Sequence, residues 1–190
     1  MALTRPQIVD AAYDILRRHG LAGLTMRRLA QCLGVQPGAL YYHVASKQEL
    51  LAAVAEHILG NSAHTVSVRD PAQAAWDIRQ ALLPVPDSAD VISFVQAFRP
   101  DTLVAFQQLQ RLFEKQLPNR QARWAAQTLI HYVLGFVAEE HNRAELVRAG
   151  ISGEPPDQVE SSEAFRFGVD VIIEGISAPR RGAGREPARP

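Results

Sequence analysis

Apolar residues recur every three to four positions along almost the whole chain, and no segment sustains the period of two that a half-buried strand needs. The pattern predicts an all-α fold. Thr4 with Gln7 makes a capping box, Pro6 sits in the first turn, and Ile8, Ala11, Ala12, Ile15 and Leu16 share one face before Gly20. Together they mark a first helix over about 5–19 that stops at the glycine. Thr25 can cap a second helix carrying Leu29, Ala30 and Leu33, with Gly34 just beyond, and a short third helix is expected over about 37–43. Ser46 and Glu49 form another capping box, opening a fourth helix with Leu50, Leu51, Val54 and Ile58.

After Asn61 the stretch NSAHTVSVRDP is polar and turn-rich, and Asp70-Pro71 reads as the cap and first residue of a new helix. This divides the chain into a head, 1–63, and a body, 64–178. Body helices are expected at about 71–84, 88–97, 101–117, 120–148 and 160–178, separated by Pro84 and Pro86, Pro100, Pro118 and the turn GISGEPP. The final PRRGAGREPARP has no apolar residue larger than alanine, so residues 179–190 are expected to be a flexible tail.

Several classes are excluded. One cysteine, Cys32, closes no intrachain disulfide and builds no cysteine zinc site. No apolar run approaches the roughly 18 residues of a membrane span, and the N-terminus has no signal-peptide core, so the expected location is the cytoplasm. The formal net charge is zero, but unevenly spread. Residues 1–60 carry six basic against four acidic side chains, residues 61–178 ten against fifteen, and the last twelve four against one. A mildly basic head on an acidic body suits a nucleic-acid module attached to a part that avoids DNA.

Residues 25–44, TMRRLAQCLGVQPGALYYHV, supply the parts of a helix-turn-helix. Leu29, Ala30, Leu33, Val35 and Leu40 are the inward candidates, Ala30 being small where two helices cross, and Gly34 can take a positive φ at the turn. The outer face of the second helix offers Gln36, Pro37, Gly38, Ala39, Tyr41, Tyr42 and His43, small residues for close approach beside aromatics and a donor. Thr25, Arg27, Tyr42, His43 and Lys47 lie at or near helix starts and turns, where side chains and backbone N–H groups meet phosphates. Arg28 adds a second guanidinium beside Arg27.

Residues 4–60, above all LTMRRLAQCLGVQPGALYYHVASKQELL, resemble the DNA-binding domain of the TetR family of bacterial transcriptional repressors. The stretches HYVLGFVAEEHNRAEL and EAFRFGVDVIIEGI resemble body segments of its tetracycline repressor branch. The resemblance implies a three-helix DNA-binding head, a fourth helix leading into an all-helical dimerisation and effector body, and release from DNA when a small molecule binds. It places Thr25, Tyr42, His43 and Lys47 on phosphate-contact positions and Arg27 on a position that reads a guanine edge, the commonest specific contact. Pro37, Gly38 and Ala39 depart from the glutamine-proline-threonine of the tetracycline repressor, and Met26 replaces a small hydroxyl residue, so a different operator is expected.

In the body the aromatics Trp76, Phe94, Phe98, Phe106, Phe113, Trp124, Tyr132 and Phe136 either line an effector cavity or fill a bundle core. The resemblance aligns Glu139 with an acid that serves a magnesium–drug chelate. It also puts Val95 and Phe98 where that chelate needs a histidine and a threonine, so no metal and no cofactor are expected, and the effector should be apolar or aromatic. His131, Glu139 and His141 spread over two helix faces, which argues against a metal triad; His131 reads as a pocket or core residue. Phe165, Gly168, Val169, Ile172, Gly175 and Ile176 repeat at helical spacing and, with helix 120–148, read as a four-helix homodimer seam. A dimer would set two recognition helices on half-sites of a near-palindromic operator.

The expected function is therefore a ligand-responsive repressor acting as a homodimer on double-stranded DNA. The alternatives are a DNA-binding regulator without small-molecule control and an enzyme using the helical cavity. The enzyme has no motif in its favour: the chain lacks GxSxG, a P-loop, HExxH and a Rossmann fingerprint.

Overall fold

In the computed structural model, Thr4 accepts a hydrogen bond from the backbone of Gln7 while the Gln7 side chain answers the Thr4 backbone N–H, which starts α1 (Arg5–Gly23). Residues 3–60, 70–100, 102–152, 154 and 157–178 are described. α1 leaves helical geometry at Gly20 (φ 65°, ψ −176°) and resumes for one short turn to Gly23, so the expected stop is a kink rather than an end. Thr25 caps α2 (Met26–Cys32), accepting from the Arg28 N–H at 3.1 Å. Gly34 (φ 66°) makes the turn into α3 (Pro37–His43), and Val35 N–H returns to the Ala30 carbonyl at 3.0 Å. Ser46 caps α4 (Lys47–Gly60) through the Glu49 N–H.

The body follows the proline punctuation closely. Asp70 accepts from Ala72 and Gln73 at the start of α5 (Pro71–Leu82), and Pro84 and Pro86 separate it from α6 (Ser88–Phe98). α7 (Val104–Glu114) is shorter at both ends than the expected 101–117. Thr102 turns its hydroxyl onto the Arg99 carbonyl, and Leu103 is buried before the helix begins. Pro118 opens α8 (Asn119–Arg148), and Asp157 caps α9 (Gln158–Ser177). Among the described residues all regular structure is helical, and no helix is long and apolar enough to cross a membrane. The expected boundary near 63 and the expected tail 179–190 lie outside the described residues.

α4 joins the two parts. It packs against α1 on the head side and against α5, α6 and α7 on the body side, so one buried cluster runs from Ile8 and Leu16 through Val54 and Ile58 to Leu82, Ile92 and Leu129. α8 packs on α5, α6 and α7, and α9 lies over α5 and α8. Polar ties reinforce the joint. The Arg99 guanidinium pairs with Glu49, the Val104 N–H donates to Glu56 at 3.1 Å, and the Leu21 N–H donates to Asp87 at 2.7 Å. Asp87 itself stands at φ 57°, the single described non-glycine residue in left-handed geometry.

Candidate DNA interface and body clefts

The helix-turn-helix rests on Leu29, Ala30 and Leu40, all buried, with Leu33 and Val35 half-buried. α3 keeps only Leu40 inside, so everything else on it is available outward. Gln36, Pro37, Gly38 and Ala39 are exposed, and Gly38 has open space around it. Tyr41 is exposed, and Tyr42 is 89% exposed with its ring edge-on to half-buried His43 at 5.2 Å. Tyr42 therefore packs little against its own chain and is available as an outward contact. Thr25 and Arg27 are exposed at the start of α2, and Lys47 is half-buried at the start of α4. The Arg28 guanidinium reaches back to the Gly23 carbonyl at 3.3 Å, which gives it a structural anchor beside its charge.

The predicted effector residues do not gather in one place. Phe106 and Phe113 are buried in the α7 side of the core. Phe94 and Phe98 stack on the surface of α6 at 6.0 Å, with Arg99 over Phe98. Trp124 is exposed beneath Arg120, and His131 and Glu139 are exposed on α8, Glu139 paired with Arg143. His131 thus lies outside the core of its own chain. Tyr132 and Phe136 meet in the body interior: their rings lie 5.8 Å apart, and 5.6 and 5.3 Å from Phe165. Val95, aligned by resemblance with a metal-holding histidine, is fully buried. Among the described residues, no three His, Cys, Asp or Glu side chains come together to hold a metal ion.

What the sequence did not signal lies under α9. Arg79 of α5 is only 3% exposed and makes a forked pair with Glu140 of α8, Nε to Oε2 at 3.1 Å and Nη2 to Oε1. Ser161 of α9 donates to the same Oε1 at 2.6 Å. The guanidinium lies over the rings of Trp76, Phe136 and Phe165 at 5.1–5.7 Å. Aromatic faces and a bidentate carboxylate together offset the desolvation of that buried charge. Tyr132 donates its hydroxyl to the carbonyls of Ala164 and Phe165. Burial raises its pKa above the usual 10.0, Arg79 pulls it back and Glu140 adds to the rise, so the group is a neutral donor at neutral pH.

Among the described residues, open clefts lie beside α9 against Phe136 and Glu139, against Trp76 and Asp70, and against Trp76 and His141. Of the predicted seam residues, Phe165 and Val169 are buried and point into their own chain. Gly168, Ile172 and Ile176 are half-buried, and Gly175 is exposed. A Cβ on Gly168 would run into the Tyr132 ring, so this glycine serves the α8–α9 packing within one chain. The outward stripe of α9 is one residue out of phase: Ala164, Phe167, Val171 and Gly175, with Phe167 72% exposed.

This arrangement has known counterparts. Residues 8–54 match the family described as bacterial regulatory proteins, tetR family. The tetracycline repressor protein class A from transposon 1721 of Escherichia coli is 32% identical over 91% of this chain and 90% of its own length. The chain belongs to the TetR family. A structure of the TetR-family fold, BioQ with its natural double-stranded DNA operator, is 36% identical and covers 93% of this chain and 99% of its own, with a TM-score of 0.77. A TetR variant from Acinetobacter baumannii in complex with minocycline is 28% identical over 91% of this chain and 96% of its own, at a TM-score of 0.72. The likeness runs the length of the chain, head and body alike.

Proposed function

We propose that this TetR-family protein is a ligand-responsive transcriptional repressor, a homodimer that binds a near-palindromic operator and lets go when a small aromatic molecule occupies the body. In this reading 1–63 is the DNA-binding head and 64–178 the effector and dimerisation body. The observation that carries it is the bare face of α3, where Gln36 to Ala39 leave room for DNA and Tyr41, Tyr42 and His43 supply contacts. Thr25, Arg27, Arg28 and Lys47 flank that face and meet phosphates or a guanine edge. The relative solved on its operator and the relative solved with minocycline support the two halves of the reading.

For the dimer, the exposed α9 stripe Ala164, Phe167, Val171 and Gly175 joins the exposed α8 row Trp124, Thr128, His131 and Gly135. Two copies of that pair make a four-helix seam. Phe167 and Val171, rather than Phe165 and Val169, are its apolar contacts. The effector is expected near Tyr132 and Phe136, and Val95 and Phe98 offer no donor to a divalent cation, so a magnesium–drug chelate is not expected. The ties from Glu49, Glu56 and Leu21 to the body give a bound ligand a route to the heads.

The test is fluorescence anisotropy of the full chain on the intergenic DNA flanking its own gene, at two salt concentrations, followed by a panel of aromatic compounds with minocycline included. Specific binding that weakens steeply with salt and is abolished by an aromatic compound other than minocycline is expected. Absence of any sequence preference at low salt would refute the DNA-binding role. Specific binding that no compound disturbs would favour the regulator without small-molecule control.

A further inference from the structure

α3 buries only Leu40, and that fixes which way the helix faces. Successive residues of a helix turn by about 100°, so Gly38 and Tyr42, two before and two after Leu40, each stand about 160° from it. They lie one turn apart at the outer apex of α3. Tyr42 is bare to solvent there, and Gly38 is exposed beside it.

Nothing in the fold of the chain holds position 38 to glycine. Its φ lies outside the left-handed range that Gly34 uses. A Cβ added to it would meet nothing within 4 Å, whereas one on Gly168 would strike the Tyr132 ring. The missing side chain leaves a shallow notch in the apex, open to solvent and flanked along the chain by exposed Pro37 and Ala39. None of these three side chains carries a hydrogen-bond donor or acceptor, and Pro37 has no backbone N–H. A base edge set against the notch therefore meets apolar surface, and a polar group put there gives up water with no partner in return. Of the base edges in the major groove, only that of thymine presents a methyl group.

We propose that the Gly38 notch seats the 5-methyl group of a thymine in each operator half-site, so that the apex of α3 reads DNA by apolar contact while hydrogen-bonded reading falls to Gln36 and Arg27. The assignment rests on the reading of α3 as the recognition helix and adds which base that helix selects.

The probe is the shortest duplex from the intergenic DNA flanking the gene that the full chain binds specifically in fluorescence anisotropy. Each thymine of a half-site, together with its symmetry mate, is replaced by deoxyuridine, which removes the methyl group and keeps every hydrogen-bonding group of the base. At one position or more the exchange should weaken binding about fourfold per half-site, the worth of one buried methyl group. Gly38→Ala fills the notch with a methyl group from the protein side. The variant should bind the thymine duplex more weakly than the unaltered protein does, and should lose the preference for thymine over deoxyuridine at such a position. Its Tm should be no lower than that of the unaltered protein, because the added Cβ meets nothing and alanine favours a helix over glycine. A half-site in which no exchange weakens binding, a thymine preference that survives Gly38→Ala at every such position, or a lowered Tm in that variant would each overturn the proposal and leave the DNA-binding reading standing. Absence of any specifically bound duplex would refute that reading and the proposal with it, so the two failures are told apart.

Discussion

Gly20→Ala should be costly for two separable reasons. At φ 65° and ψ −176° the backbone occupies a region essentially reserved for glycine, which costs another residue about 1–3 kcal/mol. An added Cβ would also stand 2.6 Å from Asp87 Oδ2, so Asp87 must withdraw and release the Leu21 N–H it holds at 2.7 Å. A hydrogen bond to a charged acceptor is worth about 1.5–3 kcal/mol. The single variant should therefore lose about 2.5–6 kcal/mol, at roughly 2–4 °C of Tm per kcal/mol in a chain of this size. Asp87→Gly removes the carboxylate without a backbone penalty, since Asp87 already sits at φ 57°. In that background Gly20→Ala should cost only the backbone share. Urea denaturation of the four proteins in the cycle, with ΔG from linear extrapolation, measures the difference. A coupling of about 1.5 kcal/mol or more is expected. Additivity within about 0.5 kcal/mol would refute the claim that Asp87 and Gly20 form one head-to-body joint.

Glu140→Ala leaves the Arg79 charge buried and unpaired and should destabilise by about 3–5 kcal/mol, whereas Arg79→Met with Glu140→Gln should recover most of the loss; thermal unfolding distinguishes them. Gly168→Ala forces α9 away from the Tyr132 ring and should cost about 1–3 kcal/mol, and a Tyr132→Leu background should remove most of that cost in the same assay. Because the pKa of Tyr132 is raised in the folded protein, its contribution is fully present below the ordinary pKa of 10.0 and is lost as pH rises through the folded value. Tyr132→Phe should accordingly flatten the fall in stability above about pH 10. Phe167→Glu places a charge on the exposed α9 stripe and should yield monomers by analytical ultracentrifugation with an intact helical circular dichroism spectrum, while a persistent dimer would place the seam elsewhere.

The head was legible because its signals are local. Thr25, Gly34 and Pro37 act through caps and turns that span three or four residues, and the structure uses each at the expected position. The body was legible as far as its helices, through the prolines at 84, 86, 100 and 118. Its interior was not. Arg79 and Glu140 are 61 residues apart and meet only once α5, α8 and α9 have packed, and a buried arginine has no signature in composition or spacing. Counting aromatics brought Phe106 and Phe113 into the expected pocket, although core filling and cavity lining ask for the same residue type. α9 posed a phase problem, because Phe165, Val169, Ile172 and Ile176 follow helical spacing as well as Ala164, Phe167, Val171 and Gly175 do. Which stripe faces its own chain is decided by Trp76, Tyr132 and Phe136 packing on Phe165, a tertiary fact that periodicity does not contain.

The central claim is that α3 of two linked heads reads DNA, and hydroxyl-radical footprinting of the full chain on the DNA flanking its own gene tests it most directly. The account predicts two protected patches about one helical turn apart, which is about 10 base pairs, related by near-two-fold symmetry and both lost in Arg27→Ala with Tyr42→Ala. A footprint that survives those substitutions unchanged, or a single unpaired patch, would contradict it.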